Sequence, residues 1–172
     1  MNTVGCIRAR LGSMPYYIAK MTAGQLIDSV GFAMEMPEWE DMSPDEKMQR
    51  TLDVNRVVND IVPYITDDED KFMGSLIVDI YQGFDEVTFE SVEDVFPSIP
   101  GAYKGPMKDM GFLSFPGNER LIALDGQHRL LALRIAIKGL AGLPGWIAKV
   151  APSWNNMKPH PELAKEEISV IF

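Results

Sequence analysis

Apolar positions along the chain keep two rhythms, and capping residues separate them. Tyr16-Tyr17-Ile18-Ala19-Lys20-Met21 groups aromatic and β-branched side chains and predicts a strand. Thr22-Ala23-Gly24-Gln25 then reads as a capping box, with Thr22 as N-cap and Gln25 reaching back to it. The helix it opens turns Leu26, Ile27 and Val30 inward, and Gly31 weakens or ends it. Residues 34–42, with Pro37, read as loop. A second capping box, Ser43-Pro44-Asp45-Glu46, places proline at the first helical position. Met48, Leu52, Val54, Val57, Val58 and Ile61 follow near helical spacing, and Pro63 marks the expected end. The other face carries Gln49, Asp53, Arg56 and Asp60, with Arg50 to one side, a pattern that by itself suits a solvated face.

Residues 72–80 predict a buried strand, and residues 81–111 an irregular insertion with one short helical piece around residues 91–95. Phe112-Leu113-Ser114-Phe115, a Pro116-Gly117-Asn118-Glu119 turn and the run from Arg120 to Leu124 together predict a hairpin. Next comes a helix that buries Leu130, Leu133 and Ile137, flanked by Leu131 and Ile135 and stopped by Gly139, with Arg134 as an exposed charge. Residues 146–150 suggest a short strand, residues 152–161 a loop, and Ile168-Ser169-Val170-Ile171-Phe172 a core strand. Residues 1–15 look like a loosely held arm, so the expected domain is residues 16–172. Its abrupt final strand suggests truncation at the C-terminus. Strands alternating with helices indicate an α/β (α+β) domain with a small mixed sheet and flanking helices.

Composition narrows the function. A chain of 172 residues with 46% hydrophobic and 24% charged content suits one ordinary globular domain. No apolar run approaches the roughly 18 residues that cross a bilayer. Arg8 and Arg10 near the N-terminus have no apolar core behind them, so a secretory signal is not expected. A single cysteine, Cys6, makes no internal disulfide, which fits a reducing cytoplasm. Asp67-Asp68-Glu69-Asp70 lacks the spacing of a calcium loop and reads as solvated linker. Two histidines, His128 and His160, without further cysteines disfavour a zinc site, so no metal is expected from the protein's own ligands. The net charge of −9, with 16 basic residues, disfavours tight DNA binding by this domain alone. Nucleotide binding needs only two or three placed cations and survives that objection.

Asp125-Gly126-Gln127-His128-Arg129 lies between the apolar run 121–124 and the helix from Leu130. A strand that turns directly into a helix here presents free N–H groups at a positive helix end, which is a ready anion site. Asp125 can cap that helix. Gly126 allows close approach of a ligand, or serves simply as a turn glycine. Gln127 can donate or accept. His128 is either an acid–base or phosphate-donating group, or a structural hydrogen-bonding partner. Arg129 is either an i+4 partner of Asp125 or a bidentate phosphate ligand, the reading its context favours.

Leu124-Asp125-Gly126-Gln127-His128-Arg129-Leu130 resembles the signature of DGQHR-domain proteins, the group that includes the DndB-like proteins of DNA sulfur modification clusters. The wider superfamily is that of ParB and sulfiredoxin, whose corresponding turn binds nucleotide phosphates. Met48-Gln49-Arg50, Asn55-Arg56 and Pro63-Tyr64 look like the upstream Gln-Arg helix of the same proteins, and Tyr16-Tyr17-Ile18-Ala19 resembles their opening strand. The resemblance implies a ParB/sulfiredoxin-like fold and a nucleoside triphosphate, foremost ATP, held by Gly126, Gln127, His128, Arg129, Gln49 and Arg50. Hydrolysis, where it occurs, would engage Asp125, His128 and Arg129 and call for Mg²⁺. DNA or other DNA-modification proteins are the implied partners, and a DNA-binding transcriptional regulator of a modification gene cluster is the alternative. Sulfiredoxin chemistry needs a cysteine in this turn, and Gln127 stands nearer that place, which excludes a sulfinic-acid reductase.

Overall fold

The computed structural model describes residues 3–43, 51–147 and 157–172. Eight strands form one mixed sheet in the order β3-β7-β4-β8-β2-β1-β6-β5. They are β1 (Thr3–Leu11), β2 (Met14–Thr22), β3 (Val30–Phe32), β4 (Leu76–Gln82), β5 (Thr88–Ser91), β6 (Met110–Ser114), β7 (Arg120–Asp125) and β8 (Glu167–Ile171). Helices α1 (Ala23–Ser29), α2 (Val54–Arg56), α3 (Val62–Asp67), α4 (Val92–Val95), α5 (Gly101–Met107) and α6 (Gln127–Lys138) accompany it, with a π-helical segment, Val57–Ile61, between α2 and α3. The α/β architecture matches the expectation, although the sheet is larger than the small one foreseen.

Residues 3–15 are not an arm. β1 is an interior strand, antiparallel to β2 on one side and β6 on the other. Its alternating burial, with Val4 and Cys6 inward, supplies a core face that a reading of loose chain overlooks.

The expected hairpin is also absent. β6 pairs with β1 and β5, whereas β7 pairs with β3 and β4. Five strand spacings separate them in the sheet order, about 24 Å if the sheet were flat. The six Cα steps from Ser114 to Arg120 reach only about 21 Å fully extended, and Gly117 turns within them at φ 98°. The sheet must therefore coil to bring β6 and β7 within reach. Phe115, buried in that connection, packs on Phe172 at 5.4 Å between ring centroids.

α6 lies within the core. Leu130, Leu131, Ala132, Leu133, Ile135, Ala136 and Ile137 are all buried, so the helix is covered nearly all round rather than along one stripe. It meets the inward residues of the strands in a single core with Leu26 and Ile27 of α1 and Val57 and Val58 of the π segment.

Arg134, expected to be exposed, donates from Nε to the Ile27 carbonyl (3.1 Å) and from Nη2 to the Val30 carbonyl (3.0 Å), and lies over the Phe32 ring at 4.8 Å. It closes the C-terminal end of α1. At the other end of that helix the Thr22–Gln25 capping box is present as read.

The strand foreseen at residues 72–80 starts later, at Leu76, and Phe72 is exposed. Helical structure continues through Pro63 instead of ending there. Val62 donates to the carbonyl of Val57, five residues back. Proline has no N–H and its ring crowds the carbonyl four residues back in an α-helix. The wider π turn just before Pro63 relieves both demands. Residues 44–46 of the Ser43-Pro44-Asp45-Glu46 box, and residues 148–150 of the strand expected at 146–150, lie outside the described residues.

Candidate functional site

β7 carries the chain outward to Asp125, Gly126 adopts a left-handed conformation (φ 85°, ψ 16°), and α6 begins at Gln127. A Cβ at Gly126 would meet the Leu76 Cγ and the Arg129 Nη2, each at 3.0 Å, so both conformation and space require glycine. No side chain caps α6 and no acidic residue lies in its first turn. Asp125, expected as the cap, turns away and pairs with the Arg129 Nη2 at 2.9 Å. A left-handed Gly126 in the capping position breaks the geometry by which a preceding Asp would reach the helix N–H groups.

Arg129 takes the structural role that was the lesser of its two readings. Besides Asp125, its Nη1 donates to the Gly74 carbonyl at 2.5 Å, which pins the segment before β4 to the motif. Its guanidinium remains partly exposed, so donors are left for a ligand.

His128 is held as an acceptor. The main-chain N–H of Asp53 donates to its Nε2 at 2.9 Å, which places the ring proton on Nδ1. Burial pushes its pKa below the ordinary histidine value, the charge of Arg56 adds to that, and Asp53 and Asp125 oppose it. The Asp53 carboxylate meanwhile accepts from the Arg56 N–H at 3.0 Å and caps α2. The exposed Arg56 is thereby brought beside the motif. Sequence reasoning set Asp53 and Arg56 on a solvated face; Arg56 also stands in the Asn55-Arg56 portion of the family pattern, whereas nothing pointed to Asp53.

Gln127 is buried, and its Oε1 has no hydrogen-bond partner among the described residues. A buried amide oxygen in that state costs roughly 1–3 kcal/mol unless something donates to it. Gln49 and Arg50, the two upstream binding candidates, lie outside the described residues. Among the described residues no cluster of three or more His, Cys, Asp or Glu is arranged to hold a metal ion. No helix among them is long and apolar enough to cross a membrane.

The arrangement is thus an uncapped helix start with one permanent cation braced inside it, a second at its edge, and a neutral imidazole between. Open N–H groups at a helix start and nearby cations are the elements with which proteins hold anions, here with Asp53 and Asp125 beside them. No curated protein and no solved structure matches the chain. A family model described as DNA-sulfur modification-associated matches residues 4–172, β1 included. The chain belongs to that family, DndB.

Proposed function

We propose that this DNA-sulfur modification-associated protein binds a nucleotide through its phosphates at the start of α6. The observation that carries the reading is the uncapped first turn behind Gly126, with Arg129 and Arg56 beside it. Phosphate oxygens would accept from the open N–H groups and from the two guanidinium groups. The buried Gln127 Oε1 adds an acceptor for a ligand N–H or a bridging water.

The same geometry supports binding more than hydrolysis. In-line attack needs a group that positions water, and usually a metal ion. Asp125 is tied to Arg129, and Nε2 of His128 already accepts from Asp53. A nucleotide-dependent switch therefore fits better than steady turnover.

Calorimetric titration with ATP, GTP and CTP, with and without Mg²⁺, tests this on the wild type and on Arg56→Ala. Micromolar binding that weakens tenfold or more in the variant is expected, with phosphate release near the buffer rate. Absence of binding to all three nucleotides would end the proposal.

The family description favours one alternative, a DNA-binding regulator whose motif grips a backbone phosphate. The net charge of −9 weighs against it. A steep fall of duplex affinity with salt, reduced in slope by Arg56→Ala, would move the reading there.

A further inference from the structure

β8 is an interior strand that lacks a neighbour for half its length. Phe172 exchanges both main-chain bonds with Tyr17, and the Glu166 carbonyl accepts from Ala23. By alternation Ile168 and Val170 also face β2, so the N–H and C=O groups of Glu167 and Ser169 point the other way. On that side β4 meets β8 only at Leu76–Val170 and Ile77–Ile171. The preceding residues 71–75 swing away, drawn toward α6 by the Arg129–Gly74 bond and held at Phe72 by Tyr64. The Tyr64 hydroxyl accepts from the Phe72 N–H at 2.7 Å and donates to the Phe72 carbonyl at 3.2 Å.

The divergence leaves a cavity of about 300 Å³ within the sheet line. Met73, Leu133, Leu163 and Ile168 make its apolar floor, while Tyr64 and the exposed Phe72 stand at the mouth. Glu166 and Glu167 occupy the rim. Lys71, the cation there, is directed to the Ile65 carbonyl at 2.9 Å, and Lys20 pairs with Glu167 at 2.5 Å. Ser75 and Ser169 close one end through their hydroxyls at 2.6 Å.

We infer that this gap between β8 and residues 71–75 binds an amino-bearing nucleobase. Its dimensions match the lower end of small-molecule pockets, about 300–1,000 Å³. The aromatic pair at the mouth suits a flat ring, for which stacking is the main attraction. The open edge of β8 offers a carbonyl acceptor at Glu167 beside N–H donors at Glu167 and Ser169. That pattern complements the adjacent amine and ring nitrogen of adenine or cytosine. The rim carboxylate of Glu166 favours an amine over the carbonyl edge of thymine, while Lys20 offsets Glu167. The contacts to the base involve no phosphate, so the inference stands without the proposed anion site at α6.

The test uses nucleosides, which carry no phosphate. Adenosine, cytidine and thymidine are titrated into the full chain by calorimetry, and so is a short single-stranded oligo(dA) beside an abasic strand of equal length. The variants are Phe72→Ala, at an exposed residue outside the core, Met73→Trp, which fills the cavity, and Arg56→Ala as the phosphate-site control. Unchanged thermal unfolding confirms that each variant is folded. Adenosine and cytidine binding, at least tenfold tighter than thymidine, is expected. It should weaken tenfold or more in Phe72→Ala and Met73→Trp, and stay unchanged in Arg56→Ala. Binding of oligo(dA) but not adenosine, lost in Phe72→Ala and absent with the abasic strand, would assign the base to a nucleic-acid strand instead of a free nucleoside. Failure of nucleosides and oligo(dA) alike to bind at millimolar concentration, or full affinity in both pocket variants, would overturn the assignment. Loss of nucleotide binding in Arg56→Ala with nucleoside binding intact would separate this site from the one at α6.

Discussion

Asp53 donates its main-chain N–H to Nε2 of His128 at 2.9 Å, a bond between residues 75 positions apart. Through it the DGQHR turn and the upstream helical segment become one structure. The carboxylate of the same Asp53 accepts from the Arg56 N–H, so the histidine indirectly places a cation beside the start of α6.

That bond requires a neutral imidazole, which gives stability a definite pH dependence. The folded-state pKa of His128 is depressed, first by burial and then by Arg56. The unfolded chain therefore takes up the proton first as pH falls below about 6.5, the ordinary histidine value. The contribution is complete above that value and is lost as pH falls through the folded pKa. Melting temperatures of the wild type and His128→Gln between pH 7.5 and 5 provide the check. The wild type should lose more on acidification, and equal losses would remove His128 from the explanation.

Arg129 and Asp125 are unequal partners. Their mutual i,i+4 ion pair, in which the Asp125 carboxylate is well exposed, is worth about 0.3–0.5 kcal/mol. Arg129 also satisfies the Gly74 carbonyl, a charge-assisted bond worth about 1.5–3 kcal/mol. Asp125→Ala should therefore cost under about 1 kcal/mol in urea unfolding, while Arg129→Ala costs about 2 kcal/mol. Arg129→Lys should recover little, because one ammonium does not replace the guanidinium fork. Equal costs for the two alanine variants would contradict the bracing role.

Arg134 has a similar purpose on the next turns of α6. Two carbonyl bonds and the Phe32 ring hold its half-buried guanidinium, and burial lowers its pKa. Arg134→Ala should destabilise by about 2–4 kcal/mol, since it strips donors from two carbonyls and vacates packed space. Methionine, which fills the space without the donors, should recover part of that. Denaturant midpoints that differ little between alanine and methionine would mean that packing adds nothing.

Features built from near neighbours were legible in the sequence. The Thr22–Gln25 box spans four residues and formed as read. The Gly139 stop of α6 and the short helical piece around residues 91–95, found as α4, are local in the same way. Pairing is not local. The Pro116-Gly117-Asn118-Glu119 turn resembles a hairpin turn, yet β6 pairs not with β7 but with β5 and with β1, the latter more than a hundred positions away at Thr3–Ser114. Nothing in a turn encodes that choice, which depends on coiling of the whole sheet. The motif itself stood out by its glycine and charges. What could not be read was that His128 would face Asp53, or that Arg129 would reach Gly74, since both contacts depend on where distant segments dock.

Gly126 joins that local signal to the tertiary demand. Its φ of 85° costs an L-residue about 1–2 kcal/mol, and a Cβ would also press on Leu76 at 3.0 Å. Gly126→Ala meets both penalties and should destabilise by about 2–3 kcal/mol. Gly126→Asn escapes part of the first, because asparagine tolerates the left-handed region, but not the second. It should therefore fall between wild type and alanine in urea midpoints. Shortening the neighbour separates the two terms: in a Leu76→Val background the alanine substitution should cost less than in the wild type, by up to about 1 kcal/mol of coupling. A cost that is the same in both backgrounds would leave conformation alone as the reason for glycine at this turn.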